Sequence, residues 1–274
     1  MARLWKGAPV AAALSERVAA QVERLKQRGV SPALAIVRVG QRPEDLSYER
    51  GALKRCEMVG ITVKQFILPD TVELTELLHI VEAINQDAAI HGCLLFRPLP
   101  RHLDEAAVCA ALAPSKDVDG ITDGSLAGVF AGSGSGFPPC TAQACLEILD
   151  YYGYELTGKR AVVVGRSLVI GKPAAMLLLQ RNATVTLCHT RTADLAAECR
   201  RADVLIAAAG KAGMLGVSHI APGQAVIDVG INLDADGMLV GDVDFAAAEP
   251  VADAVTPVPG GVGAVTTSVL ARHV

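Results

Sequence analysis

Three stretches carry residue types and spacings that can do chemistry. The first is residues 161–173, Ala-Val-Val-Val-Gly-Arg-Ser-Leu-Val-Ile-Gly-Lys-Pro. Its apolar start shows no polar alternation, which suits a parallel strand buried on both faces. The run ends in Gly165, Arg166 and Ser167, and Gly171 and Pro173 open an apolar helical stretch. Strand, glycine turn and helix start together bring backbone N–H groups and the positive end of a helix dipole against a phosphate. Gly-x-Ser-x-x-x-Gly departs from the strict G-x-G-x-x-G fingerprint, and an ordinary strand–helix connection fits the same residues. A dinucleotide site that prefers NAD offers Asp or Glu near the end of its second strand, about 20 residues past the glycine turn. Here that strand ends Leu187-Cys188-His189-Thr190-Arg191-Thr192, and no acid lies between Gly171 and Asp194. Arg166, Thr190 and Arg191 would welcome a 2′-phosphate, which favours NADP and leaves NAD open. An Arg191 that caps a helix end or sits in solvent is the plainer alternative.

The second stretch is Lys116-Asp117-Val118-Asp119-Gly120. Its acids can cap a helix, form a turn before Gly120, or hydrogen-bond the amino group of a heterocycle. A metal is not expected, because no third acid or histidine follows at EF-hand spacing. The third stretch, Val255-Thr256-Pro257-Val258-Pro259-Gly260-Gly261-Val262-Gly263, cannot be a helix or strand interior. Glycines this dense let backbone approach something flat or bulky. A plain linker is the competing reading, but linkers are normally polar, and this one is stiffened by two prolines and flanked by valines.

The elements that must position these stretches follow from the hydrophobic pattern. Residues 10–28 form an amphipathic helix with Val10, Leu14, Val18, Val22 and Leu25 on one stripe. Strands are expected at 33–39, 61–68 and 91–96, alternating with helices at 46–59, 73–85 and 103–112. Residues 114–140 break this rhythm and, with Gly, Pro and Ser dense from 124 to 139, read as a long functional loop or a domain crossing. A bridging helix at 141–152 then leads to strands at 161–164, 183–188, 204–208, 225–229 and 254–255. A hairpin at 231–241 turns at Asp236-Gly237, and a last helix covers 266–272. Strands alternating with helices predict an α/β fold with parallel sheets. At 274 residues and 51% hydrophobic content, the chain can bury one large or two modest domains. A net charge of -4 without a basic cluster gives no reason to expect nucleic acid. No run reaches the roughly 20 apolar residues of a membrane span, and no apolar signal core opens the chain. Seven irregularly spaced cysteines read as reduced thiols in a cytoplasmic protein.

In order and spacing these pieces resemble one family, the bifunctional methylenetetrahydrofolate dehydrogenase/methenyltetrahydrofolate cyclohydrolases. The carriers are Thr-Pro-Val-Pro-Gly-Gly-Val-Gly at 256–263, residues 116–120, Pro139-Cys140-Thr141, residues 163–167, and Val229-Gly230-Ile231-Asn232 followed by Gly241-Asp242-Val243. The resemblance runs nearly end to end. It implies a cytoplasmic homodimer and a folate cleft between an N-terminal α/β catalytic domain (1–138 plus 258–274) and a Rossmann-like NAD(P)-binding domain (139–257). Carried over residue by residue, Tyr48 matches the tyrosine that packs over the folate, and Asp119 the aspartate that hydrogen-bonds the pterin. Pro259, Gly260, Gly261 and Val262 match the loop at the folate and nicotinamide, with Val262 and Ile231 on the cofactor side. Cys140 matches the cysteine near the cofactor. Gly165, Arg166 and Ser167 match the phosphate turn, and His189 and Thr190 the second-strand loop.

The departures bear on mechanism. The family writes Tyr-x-x-x-Lys, but Ala52 stands four residues after Tyr48. Phe96 stands where the family has glutamine, with Arg97 beside it, and Asp45 replaces a serine. Ala264 replaces a common proline, and the family's last helix runs longer. A lysine of lowered pKa would handle the proton in hydrolysis of the methenyl bridge, and alanine cannot. Lys54 lies roughly 120° around the helix from Tyr48, and Arg55 is a poor base. Hydride transfer from methylenetetrahydrofolate to NADP needs alignment and little acid–base help. The expectation is therefore a dehydrogenase with weak or lost cyclohydrolase activity, Phe96 and Arg97 lining the substrate site and Arg97 free to grip a glutamate tail. A paralogue that binds folate or nucleotide without turnover, or a regulatory subunit, is the alternative.

Overall fold

The computed structural model describes residues 1–274. They form two compact units, Ala12–Cys140 with Thr267–Val274 (the N-terminal unit) and Met1–Ala11 with Thr141–Thr266 (the C-terminal unit). Along the chain come β1 (Arg3–Leu4), α1 (Gly7–Gln27), β2 (Ala33–Val39), α2 (Pro43–Val59), β3 (Thr62–Leu68) and α3 (Leu74–Gln86). Next are β4 (Gly92–Leu95), α4 (Glu105–Ala111), α5 (Asp123–Ala131), α6 (Cys140–Tyr151), β5 (Arg160–Val164), α7 (Gly171–Gln180) and β6 (Thr184–Cys188). The rest are α8 (Leu195–Arg200), β7 (Val204–Ala207), β8 (Ala225–Asp228), β9 (Asn232–Leu233), β10 (Leu239–Val240), α9 (Phe245–Ala248), β11 (Ala254–Val255) and α10 (Thr266–His273).

In the N-terminal unit, β2 is the centre of a three-stranded parallel sheet ordered β3-β2-β4. All seven of its residues are buried, as suits a strand apolar but for Arg38. Leu77, Val81 and Ile84 of α3 pack with Ala35, Val37, Cys93 and Leu95. The one charge on β2, Arg38, is buried and meets the Glu49 carboxylate of α2 at 2.8 Å, and Gln65 of β3 donates to the other Glu49 oxygen at 2.8 Å. On α1, Leu14, Val18 and Val22 are buried as the stripe predicts, but Leu25 is 37% exposed as the helix runs out. The stretch expected to be loop, 114–140, contains α5. Thr122 Oγ1 accepts from the Ser125 N–H at 3.1 Å at its start, and Gly132 in the left-handed region stops it. Glycines inside α5 hid it from a pattern reading.

The C-terminal unit holds a six-stranded sheet ordered β1-β11-β8-β7-β5-β6, all parallel. Strand order reverses beside β5, which makes a topological switch point between β5 and β7. The hairpin β9–β10 is antiparallel and turns at Gly237, as expected. Strand β1 was not expected, because two residues show no period. It pairs Arg3 with Ala254 and Leu4 with Val255, and Trp5 stacks on Tyr152 with ring centroids 5.2 Å apart. These ties group residues 1–11 with the C-terminal unit, whereas the sequence reading put them with 12–138. The same grouping takes in residues 258–266, where the Gly7 N–H donates to the Gly260 carbonyl at 2.8 Å.

Candidate functional site

In the C-terminal unit a cavity of about 550 Å³ opens at the switch point. Gly165, Arg166, Ser167, His189 and Thr190 line it, as the sequence reading grouped them. The strand-to-helix turn is obligatory glycine. Gly165 has φ +123°, and a Cβ there would lie 1.9 Å from the Ala208 carbonyl oxygen. A Cβ at Gly171 would lie 2.0 Å from the Gly165 carbonyl oxygen. Ser167 Oγ accepts from the Ile170 N–H at 3.1 Å, so the turn is braced before α7 begins. Across the second strand, the His189 N–H donates to Thr192 Oγ1 at 2.9 Å, and the Arg191 N–H donates to His189 Nδ1 at 3.1 Å. Sequence reasoning missed Lys211, which adds a cation to this wall. Only its position after β7, at the strand's carboxyl end, could have marked it.

A second cavity of this unit, about 300 Å³, is lined by Ile231, Pro259, Gly260, Gly261 and Val262. Ile231 is 71% exposed while Val262 is buried. The loop's close approach is literal at Gly261, where a Cβ would lie 2.5 Å from the Pro257 carbonyl oxygen. Beneath the loops sit two acids that sequence reasoning left without a role, Asp228 and Asp242. Asp228 accepts from the Gly230, Asp242 and Val243 N–H groups at 2.9–3.0 Å. Burial pushes its carboxyl up to about 6 despite those bonds.

The remaining candidates lie in the N-terminal unit. Tyr48 and Phe96 meet edge to face with centroids 6.0 Å apart. Ala52, one turn on from Tyr48, is 0% exposed. Arg55 does not stand in for a lysine: its Nη1 donates to Ser15 Oγ at 2.9 Å, and burial lowers its pKa. Lys54 faces solvent. Asp45 is taken up by Arg42, which donates to both its oxygens at 2.9 and 2.6 Å and to the Arg97 carbonyl at 2.8 Å. Arg97 in turn lies 3.6 Å from Glu105, whose other oxygen accepts from the Leu99 N–H at 2.8 Å. Arg97 and Asp45 thus brace the turn that carries Phe96.

Asp119 and Cys140 are neighbours. Desolvation raises the Asp119 carboxyl to about 6, against the hydrogen bonding of Cys140 and the more distant charge of Arg97. Burial and the Asp119 charge push the Cys140 thiol well up, so it is no nucleophile. Its Sγ lies 3.3 Å from the Val118 carbonyl, which also contacts His273 Nδ1 at 2.8 Å. His273 stacks on Phe137 with centroids 5.0 Å apart, an arrangement no local pattern announces. Cys140, expected at the cofactor, also contacts the Asp119 cluster.

The arrangement has close counterparts. Residues 5–119 match the model of the tetrahydrofolate dehydrogenase/cyclohydrolase catalytic domain, and residues 139–274 match that of its NAD(P)-binding domain. The Bifunctional protein FolD of Carboxydothermus hydrogenoformans is 51% identical over 275 aligned residues, which span 100% of this chain and 96% of that protein. The crystal structure of the bifunctional enzyme FolD from Campylobacter jejuni superposes with a TM-score of 0.96 at 36% identity, covering 100% of this chain and 97% of that one. The FolD of Trypanosoma brucei, solved with NADP cofactor and inhibitor, gives 0.92 at 35% identity over 99% of this chain and 95% of its own. By its fold, its two matched domains and these identities, the chain belongs to the tetrahydrofolate dehydrogenase/cyclohydrolase family.

Proposed function

We propose that this protein oxidises 5,10-methylenetetrahydrofolate to 5,10-methenyltetrahydrofolate with NADP, and that the family's cyclohydrolase step is weak or lost. One observation carries the reading. The nucleotide cavity keeps its glycine cradle and cations, while the position expected to hold the proton-handling lysine is a fully buried alanine. NADP, when bound, supplies the nicotinamide ring that accepts a hydride. Gly165, Ser167 and the start of α7 would hold its phosphates, and Arg166 with Thr190 its 2′-phosphate. The loop of Pro259, Gly260, Gly261 and Val262, with Ile231, would flank the nicotinamide. Asp119 would accept hydrogen bonds from the pterin, and Tyr48 would pack over it. Oxidation leaves a cation shared by two ring nitrogens, so orientation suffices and no base is required. Hydrolysis of that cation does require one. Losing general acid–base help costs ~100- to 10,000-fold. Phe96 against Tyr48 also replaces a polar partner with an apolar ring.

The test follows NADPH formation from methylenetetrahydrofolate beside the absorbance decay of methenyltetrahydrofolate. We expect the first, and a decay indistinguishable from buffer. Decay well above buffer would refute the loss. The double change Ala52→Lys with Phe96→Gln should raise it. Absence of NADP reduction would favour a binding paralogue or regulatory subunit. The family also points to a homodimer, which sedimentation velocity would show as a single species of twice the chain mass. Seven free cysteines fit a reducing, cytoplasmic setting.

A further inference from the structure

Asp242 is 0% exposed, yet its carboxylate takes four donors. The Ala209 and Gly210 N–H groups reach one oxygen at 2.6 and 2.9 Å. The Lys211 N–H and Asn232 Nδ2 reach the other at 2.8 and 2.9 Å. Three successive amides converging on one carboxylate fix a turn that has no regular structure of its own. Ala209 and Lys211 line the 550 Å³ cavity, and Asn232 follows Ile231, which lines the 300 Å³ cavity. One side chain thus ties a wall of each cavity to the same point.

Asp242 is itself held from below. Its N–H donates to Asp228 Oδ1 at 3.0 Å, and the neighbouring Val243 N–H donates to Oδ2 at 3.0 Å. The packing leaves no slack. A Cβ at Gly230 would lie 2.4 Å from both the nitrogen and Oδ1 of Asp242, and one at Gly241 would lie 1.8 Å from Asp228 Oδ2. Asp242, 0% exposed, lines neither cavity and is no binding or catalytic group, whereas Asp228, 4% exposed, reaches the floor of the 300 Å³ cavity.

We infer that Asp242 is a positioning residue for the nucleotide: it locks the 209–211 turn and the Ile231–Asn232 segment in fixed register, so that one dinucleotide can span both cavities. The inference rests on the reading of these cavities as the NADP site. It distinguishes Asp242 from an ordinary stabilising acid. Loss of the lock should weaken NADP more than it weakens folate or slows a saturated enzyme.

Wild type, Asp242→Asn and Asn232→Ala are compared by NADP titration calorimetry, by KM for each substrate and kcat, and by thermal melting. Asn at 242 keeps one acceptor but turns an amide toward N–H donors, whereas Asn232→Ala removes a single donor and leaves the turn amides bonded. We expect Asp242→Asn to raise the NADP Kd and KM at least tenfold, with kcat and folate KM within about twofold. Asn232→Ala should show the same split at about threefold. If Asp242→Asn fails to fold, the Asn232→Ala split decides. Equal NADP affinity in the variants, or equal loss for both substrates, would overturn the inference. A wild type that binds no NADP would instead overturn the cavity assignment beneath it.

Discussion

Asp119 joins two requirements that pull against each other. In the proposed pterin role it accepts best with both oxygens ionised, yet desolvation raises its carboxyl to about 6. Protonation below that value turns one of the two acceptor oxygens into a donor and removes the negative charge. With the wild type, kcat/KM for methylenetetrahydrofolate should therefore fall as pH drops through about 6. Asp119→Asn should be slow throughout and flat over the same range. An identical pH profile in the variant would place the titrating group elsewhere. For stability the sign is different. Asp119 and Asp228 both bind their proton more tightly when folded than when unfolded, where an aspartate sits near 3.9. Each therefore takes stability away as pH rises from about 4 to about 6. Asp228→Ala would not relieve this cost cleanly, because three N–H groups would lose their acceptor.

At the scale of elements, the turn between β5 and α7 tolerates no side chain. Gly165→Ala meets both an unfavourable φ and the Ala208 carbonyl, so the turn must move. NADP affinity should drop by roughly tenfold or more, the shift a 1.4 kcal/mol misfit produces. A calorimetric Kd equal to wild type would show that this turn does not carry the nucleotide. The N-terminal sheet offers a stability counterpart. Glu49→Ala leaves the buried Arg38 guanidinium without its carboxylate, and the denaturation midpoint should fall by the equivalent of ~3–5 kcal/mol. Helix α5 is held more lightly. Thr122→Ala removes its capping oxygen and should cost ~1 kcal/mol in the same measurement.

For the molecule as a whole, the division into two units has a reporter in the sequence. Trp5 is the only tryptophan, is buried, and stacks on Tyr152 inside the C-terminal unit. Its fluorescence should follow the unfolding of that unit. If the nucleotide cavity lies there, NADP at 100 times its Kd should stabilise the fluorescence-detected transition by ~2.7 kcal/mol. A transition indifferent to NADP would remove the nucleotide from that unit.

The linear chain determined a good deal unaided. Short apolar runs at 161–164 and, but for Arg38, at 33–39 marked buried parallel strands, because a strand covered on both faces lacks polar alternation. Glycine and proline spacing located the turn at 165–171 and the loop at 257–263, since few other residues allow those backbones. Ala52 and Phe96 were legible only as departures from the family pattern, and the proposal of weak or lost hydrolysis rests on them. What only the tertiary structure decided has one physical character: it depends on partners far apart in sequence. Strand β1 exists through its pairing with β11, not through any pattern of its own. Asp45 and Arg97 join in one turn only because Arg42, paired with Asp45, also donates to the Arg97 carbonyl 55 residues on. Asp242 gained its four donors from residues 10 to 33 positions away, and no local period records such convergence.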